Sequence, residues 1–189
     1  MASAFVSAIV SLTVAGMGFW FTVRNTKRVN ERQDRLLRIN RQLSALYGPM
    51  LTLASATESA WHSFLLKHDL ESVSLSTAPG DVDVDRNDWV IWVRAVFMPL
   101  NRRLFDVILG GGDLLIEDEM PPVLLAFSAH VSSWEATIAR WDDQDFDELT
   151  AAIGHPGRSL LRYAEHGYAV LKKQQNQLIA HLIQGGETA

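Results

Sequence analysis

The chain has 189 residues, no cysteine, and 17 Lys plus Arg against 22 Asp plus Glu, which gives a net charge of -5. Residues 24–42 hold seven of the bases and two of the acids, which leaves 10 bases against 20 acids elsewhere. The lack of cysteine excludes disulfides and thiolate chemistry, and so acidic a remainder argues against nucleic-acid binding, in which phosphate contacts dominate affinity.

The first 23 residues are the least polar part of the chain. Ala2–Val23 holds no charged side chain, and three aromatic residues, Phe19, Trp20 and Phe21, lie near its C-terminal end. At a rise of ~1.5 Å per residue, such a helix spans the ~30 Å hydrocarbon core of a bilayer. A cleaved signal peptide is the alternative, but it needs its basic residues before the apolar run and not after it. We predict a single transmembrane anchor over residues 1–23.

A basic juxtamembrane helix is predicted over residues 24–47. Its first bases are Arg24, Lys27, Arg28, Arg32 and Arg35. By the positive-inside rule, the part that follows the anchor stays in the cytoplasm, so we predict an inner (plasma) membrane protein with a cytoplasmic C-terminal domain. Basic residues gain roughly 1 kcal/mol each near anionic lipid, although the same charges also suit a solvated helix face.

Small residues recur along the predicted anchor at four-residue spacing. They are Ser3, Ser7, Ser11 and Ala15, and Gly18 continues the stripe. Small residues at this spacing let two helices approach closely in lipid, where no hydrophobic force drives them together. The stripe predicts self-association of the anchor, the alternative being that small residues are common in any span.

Residues 48–189 are predicted to form a cytoplasmic bundle of four or five helices, which makes the fold all-α. Apolar side chains recur with helical spacing, including a stripe from Leu36 to Met50 that packs on its own domain or forms a short coiled coil. Gly48-Pro49 is expected to end or kink a helix, and Pro99 is expected to divide two helices. The segment 69–88 is expected to be a loop, with Asn87 or Asp88 capping the next helix. The residues predicted to be buried together are Trp92, Phe97, Phe127, Trp134 and Leu171.

Three groups of side chains have residue types that bind metals, but none of them is predicted to be a metal site. Asp81, Asp83 and Asp85 alternate as in a calcium-binding loop, but that loop needs glycine and glutamate where this chain has Arg86 and Trp92, so a solvated loop is favoured. Glu58 and His62 lie one helical turn apart, which favours a surface ion pair. His130 lies on an apolar stripe, which favours a hydrogen-bonded core residue over a ligand. No cofactor is predicted.

A nuclease function was also considered, from an arginine and a histidine near the C-terminus. Helical ribonucleases of the HEPN class have four to six residues between the arginine and the histidine, with a polar residue following the arginine. Arg162 and His166 have three residues between them, and Tyr163 follows the arginine. The pair is therefore expected to be two exposed residues, and no catalytic residue is predicted.

Two resemblances bear on function. An N-terminal span, a basic helix with RQLSALYGP at residues 41–49 and an apolar helix after a proline pair resemble small uncharacterised bacterial single-pass membrane proteins. The architecture is also similar to the membrane accessory protein of the RNA-guided nuclease Cas13b, in which one span precedes a helical domain. The second resemblance implies protomers that assemble around a pore.

These features predict a non-enzymatic membrane protein that acts by self-assembly and partner binding. The expected partners are the lipid bilayer, further copies of the chain and an unknown cytoplasmic protein, and nucleic acid is not expected. The alternative is an oligomeric pore-forming effector, for example in anti-phage defence. A metal-independent helical ribonuclease is the third hypothesis.

Overall fold

The computed structural model describes residues 20, 24, 26, 27, 29–70 and 84–186 of the chain, and every regular element in these ranges is helical. The α-helices are α1 (residues 29–42), α2 (Gly48–Lys67), α3 (Arg86–Trp92), α4 (Met98–Gly110), α5 (Pro122–Asp142) and α6 (Arg158–Gly186). A 3₁₀ turn, Gly112–Leu114, follows α4. The prediction of an all-α helical bundle is confirmed.

Two five-residue π-helical turns join consecutive helices in places where the sequence predicted interruptions. Leu43–Tyr47 joins α1 to α2, and Val93–Phe97 joins α3 to α4. Each turn ends directly before a residue that precedes proline, namely Gly48 before Pro49 and Met98 before Pro99. The regular α-helix is therefore interrupted before each proline as predicted, and the interruption is a π-turn through which the chain stays helical.

The π-turn explains how each proline is accommodated. In a regular α-helix, a proline ring clashes with the carbonyl four residues earlier and leaves that carbonyl without a donor. In this chain the N–H of Gly48 bonds to the carbonyl of Leu43, five residues back, and the N–H of Met98 bonds in the same way to Val93. The wider π-turn accommodates the proline ring, so the chain can stay helical on both sides of each proline.

Other helix ends follow the sequence more closely. α4 ends at Gly110, and α5 starts at Pro122 as the proline pair predicted. The cap of α3, however, is neither Asn87 nor Asp88. The carboxylate of Asp85 accepts hydrogen bonds from the backbone N–H groups of both of these residues, at 2.8 and 3.2 Å, so the helix begins two to three residues earlier than predicted.

The described residues divide into two compact units, one formed by those up to Asn40 together with those from Gln175 onward, and the other by those from Arg41 to Gln174. In the first unit, Gln175 Nε2 donates a hydrogen bond to Asn40 Oδ1 over 2.6 Å. In the second, α2 packs against α4 and α4 against α5. Arg102 on α4 forms a two-pronged ion pair with Glu135 on α5, with N–O distances of 2.6 and 2.8 Å.

Aromatic side chains fill much of the core of residues 41–174. The ring of Phe64 on α2 lies 5.4 Å from Trp89 and 5.8 Å from Phe97, and Trp89 lies 6.1 Å from Trp134 on α5. Phe97, Phe127, Trp134 and Leu171 are buried as predicted. Trp92 is only half-buried, since Trp89 and Val93 occupy the inward face of that helix.

The predicted anchor, residues 1–23, lies outside the described residues except for Trp20. Within the part of the chain that the structure describes, no helix is both long and apolar enough to cross a membrane.

Candidate functional site

The stripe predicted to associate in the membrane, Ser3, Ser7, Ser11, Ala15 and Gly18, lies wholly outside the described residues. Its role therefore stays a prediction.

The basic stretch is described for four of its five predicted residues, Arg28 being outside the described set. Arg24, Lys27, Arg32 and Arg35 are all exposed on helical backbone. The guanidinium of Arg24 lies over the ring of Trp20, with its central carbon 4.9 Å from the ring centroid. Such a cation–π contact holds an aromatic ring and a positive charge together at the end of the uncharged run.

Of the other groups predicted from sequence, Asp81 and Asp83 lie outside the described residues. The carboxylate of Glu58 accepts a hydrogen bond from Arg158 Nε at 2.9 Å, so the expected ion pair with His62 is wrong. Arg162 and His166 are both exposed, as expected. The part of the chain that the structure describes contains no group of three His, Asp or Glu side chains able to hold a metal ion.

A cluster of two tyrosines and a glutamate links three parts of the residue 41–174 unit. The hydroxyl of Tyr47, from the first π-turn, accepts the backbone N–H of Ile116 at 3.1 Å. It lies 3.2 Å from the hydroxyl of Tyr163 on α6. Tyr163 in turn donates to Glu117 at 3.0 Å. This tyrosine cluster fixes the loop that follows the 3₁₀ turn against the helices on either side.

Close packing makes the tyrosine cluster possible. Tyr47 is fully buried, and its ring lies directly on the backbone of Gly167 in α6. A Cβ atom added at Gly167 would overlap that ring. Sequence reasoning missed this cluster because its members are 70 and 116 residues apart along the chain. The one available signal was a glycine inside an otherwise regular helix, which often marks a close approach.

Burial determines the chemistry of the two tyrosines. It raises the pKa of Tyr47 and, together with the hydrogen bond to Tyr47, also raises the pKa of Tyr163. Raised pKa values keep both hydroxyls protonated at neutral pH, so they act as hydrogen-bonding groups and not as bases or nucleophiles. The cluster is suited to holding the loop in place.

A pair of buried histidines forms a second polar cluster. His130 on α5 is 6 % exposed, and its Nδ1 lies 2.8 Å from the carbonyl of Ile153, which confirms the prediction of a hydrogen-bonded core residue. The ring of His155 is perpendicular to it at 5.0 Å. Burial lowers the pKa of His130 and, together with the charge that His130 would carry, lowers the pKa of His155 to about 3. Both rings are neutral at physiological pH.

The tautomer of His155 follows from its neighbours. Its Nδ1 accepts the backbone N–H of Gly157 at 2.9 Å, so in the neutral ring the proton is on Nε2. That nitrogen is buried and has no hydrogen-bond partner among the residues that the structure describes. His155 lines a cavity of about 10 Å³ with Thr57, Glu58 and Leu104, among others. A space of this size holds about one water molecule, which is too little for a metabolite or cofactor.

One further surface is both acidic and apolar. We call residues 113–120 the acidic rim, since Asp113, Glu117, Asp118 and Glu119 occur there without a base. Ile116 and Met120 in the same segment are 40 % and 41 % exposed. Arg41 approaches Asp113 at 3.8 Å, and Gln42 Nε2 donates to the carbonyl of Leu114 at 2.9 Å. The acidic rim therefore contacts Arg41 and Gln42, the first two residues of the unit formed by residues 41–174.

Comparison with protein-family models, curated proteins and solved structures finds no match to this chain. The two resemblances stated from the sequence stay predictions.

Proposed function

We propose that this chain is a single-pass membrane protein whose cytoplasmic helical bundle works by self-assembly and by binding a protein partner, without enzymatic chemistry of its own. The observation that carries the proposal is the uncharged run Ala2–Val23 followed directly by a basic helix. An apolar run of this length satisfies its backbone internally only as a helix, and the charges after it favour a cytoplasmic C-terminal part.

The first residues of the basic helix support this proposal. Arg24, Lys27, Arg32 and Arg35 are exposed and so available to the headgroups of anionic lipids. The contact between Arg24 and Trp20 also suits the headgroup region of the membrane, because tryptophan side chains are enriched at the boundary between lipid and water.

Self-assembly is supported by the stripe of Ser3, Ser7, Ser11, Ala15 and Gly18. Without a hydrophobic force between spans, close packing and hydroxyl hydrogen bonds have to supply the attraction. The same stripe favours a second candidate function, an oligomeric pore, since a ring of spans around a channel also needs closely packed helices.

The membrane proposal is tested by extraction of the full chain from membranes at alkaline pH. We expect the chain to stay in the membrane pellet, and a chain that lacks residues 2–23 to be released. Release of both chains would contradict the proposed anchor.

Assembly is tested by chemical crosslinking in membranes. Ser7→Leu with Ser11→Leu should remove crosslinked oligomers, because bulky side chains separate the helices. Val6→Leu with Val10→Leu adds the same residue type on another face and should leave the oligomers unchanged. A closed ring of defined size would favour the pore, and a monomer in every preparation would contradict assembly.

A further inference from the structure

The small cavity beside the histidine pair lies between α2, α4 and the N-terminal end of α6. α2 contributes Ala54, Thr57 and Glu58 to its lining, and α4 contributes Leu104. His155 lines it from the segment before α6. A hydroxyl, a carboxylate and an imidazole therefore share the lining with aliphatic side chains.

His155 brings a hydrogen-bond donor to this cavity. Its Nδ1 accepts the backbone N–H of Gly157, so the ring proton is on Nε2. The residue is 7 % exposed, and no described residue accepts a hydrogen bond from Nε2. A buried donor without an acceptor destabilises the folded chain, so a group that accepts this hydrogen bond would be bound favourably.

Two acceptors line the same cavity. Thr57 is 2 % exposed, and its hydroxyl donates to the carbonyl of Leu53 at 3.0 Å, which leaves the lone pairs of Oγ1 able to accept. Glu58 accepts from Arg158 Nε at 2.9 Å through Oε1, and a carboxylate can accept several further hydrogen bonds. The lining therefore combines a donor with acceptors.

The size and the polarity of the lining select the occupant. A space of about 10 Å³ holds a group no larger than one water molecule. A metal cation does not suit it, because Nε2 of His155 presents a proton and not a lone pair, and an anion is repelled by the carboxylate of Glu58. Water both accepts and donates, and buried water molecules typically make about three hydrogen bonds.

We propose that this cavity binds one ordered water molecule, which accepts a hydrogen bond from His155 Nε2 and donates to Thr57 Oγ1 and to the carboxylate of Glu58. The water connects α2 to the segment that leads into α6, beside the ion pair between Glu58 and Arg158. It satisfies the buried imidazole donor and is a fixed part of the bundle. This inference concerns the bundle alone and does not depend on the proposed membrane anchor.

Nuclear magnetic resonance of the full ¹⁵N-labelled chain in mild detergent tests this site directly. We expect the ring proton of His155 on Nε2, with a cross-peak to water that has opposite signs in the NOE and ROE spectra. Opposite signs identify a bound water molecule and exclude simple proton exchange with the solvent. The ring signal is assigned by its loss in His155→Asn.

A cavity-filling variant supplies a second measurement. Ala54→Val adds two methyl groups to the cavity wall and should expel the water. Ala60→Val makes the same change on α2 at a half-buried residue outside the lining, so it is the matched control. The relaxation of water ¹⁷O, to which no protein hydroxyl contributes, should show one long-lived water fewer in Ala54→Val and an unchanged number in Ala60→Val.

Three results would overturn the proposed water site. They are a ring proton on Nδ1 of His155, a ring proton on Nε2 without contact to water, and an equal number of long-lived waters in Ala54→Val and the unaltered chain. The last would assign the cross-peak to the exchanging hydroxyl of Thr57. The first two results come from the unaltered chain, so they decide the question even where Ala54→Val does not fold.

Discussion

The two polar clusters of the bundle differ in how well their hydrogen-bonding groups are satisfied. In the tyrosine cluster, the hydroxyls of Tyr47 and Tyr163 have partners within 3.2 Å, and the chain of bonds ends at exposed Glu117. In the histidine pair, His155 is 7 % exposed, and no described residue forms a hydrogen bond with its Nε2. A buried polar group without a partner costs free energy, whereas a satisfied network fixes one arrangement of the chain.

This difference predicts different responses to pH. The tyrosines gain no charge near neutral pH, since the pKa of each is raised above 10.0. The histidines are neutral in the folded chain but gain protons below about pH 6.5 once it unfolds. Mild acid should therefore destabilise the folded chain through the histidine pair, whereas the tyrosine cluster should not respond to it.

The largest expected effect comes from the side chain that packs on the histidine pair. The ring of Trp134 lies 6.4 Å from His130 and 6.1 Å from Trp89. Trp134→Ala should lower the free energy of unfolding by about 3–5 kcal/mol, because it leaves a cavity in the core. Thermal melting of the full chain in mild detergent measures this loss, and an unchanged transition would show that the core is misassigned at α5.

The pH dependence of stability tests the histidine pair directly. Because the pKa of His155 is lowered to about 3, unfolding takes up a proton between that pH and 6.5. Stability should be complete above pH 6.5 and should fall as the pH drops, by roughly 3 kcal/mol for this residue at pH 4. His155→Asn keeps an acceptor for Gly157 without titrating, so its denaturation midpoints should depend less on pH. Parallel profiles for the two proteins would contradict the assignment.

The tyrosine cluster should be most sensitive at Gly167. Gly167→Ala places a methyl group where the ring of Tyr47 lies, so we expect a loss of about 1–3 kcal/mol from overpacking. Gly110→Ala is a suitable control, since an added Cβ there meets no atom within 4 Å. Equal denaturation midpoints for the two variants would show that Tyr47 does not pack against α6.

The smallest expected effect is the loss of one hydroxyl. Tyr163→Phe removes the hydroxyl that contacts both Tyr47 and Glu117. The hydroxyl of Tyr47 keeps its bonds to Ile116 and Glu117, and exposed Glu117 can bond to water, so the cost should be about 0.5–1.5 kcal/mol. The difference in the free energy of unfolding between the wild-type chain and the variant should be constant from pH 5 to about 9. It should change only above pH 10, where Tyr163 ionises in the unfolded wild-type chain and so lowers the stability of its folded state. A difference that changes below pH 7 would contradict the separation of the two clusters.

Local sequence patterns predicted the helices well and their junctions less well. The apolar stripe of α5 placed Phe127, Trp134 and His130 correctly, because burial follows the helical period. The same reasoning predicted an interruption at Pro49 and Pro99 but not its form, since a π-turn depends on how the adjoining helices pack and has no simple sequence signal. The cap of α3 was missed in a related way, because Asp85, Asn87 and Asp88 are all good caps and their order alone does not select one.

The polar clusters could not be found from sequence. Their members, such as Tyr47 and Tyr163, are brought together only by the tertiary packing. His130 was recognised as a buried residue, but its pairing with His155 depends on the irregular segment before α6, whose path no periodicity describes. The acidic rim was visible as a run of acids, whereas its fixed conformation followed only from the contacts with Gln42 and Tyr47.

The central claim, an anchored protein with a cytoplasmic bundle, is tested most directly by its topology. Two reporters are fused in turn after Ala189, one active only in the cytoplasm and the other active only outside it. The charge step at Arg24 predicts that the cytoplasmic reporter is active in membrane-bound protein and that the other is silent. Strong activity of the external reporter would contradict the claimed orientation, and activity found only in the soluble fraction would contradict the anchor itself.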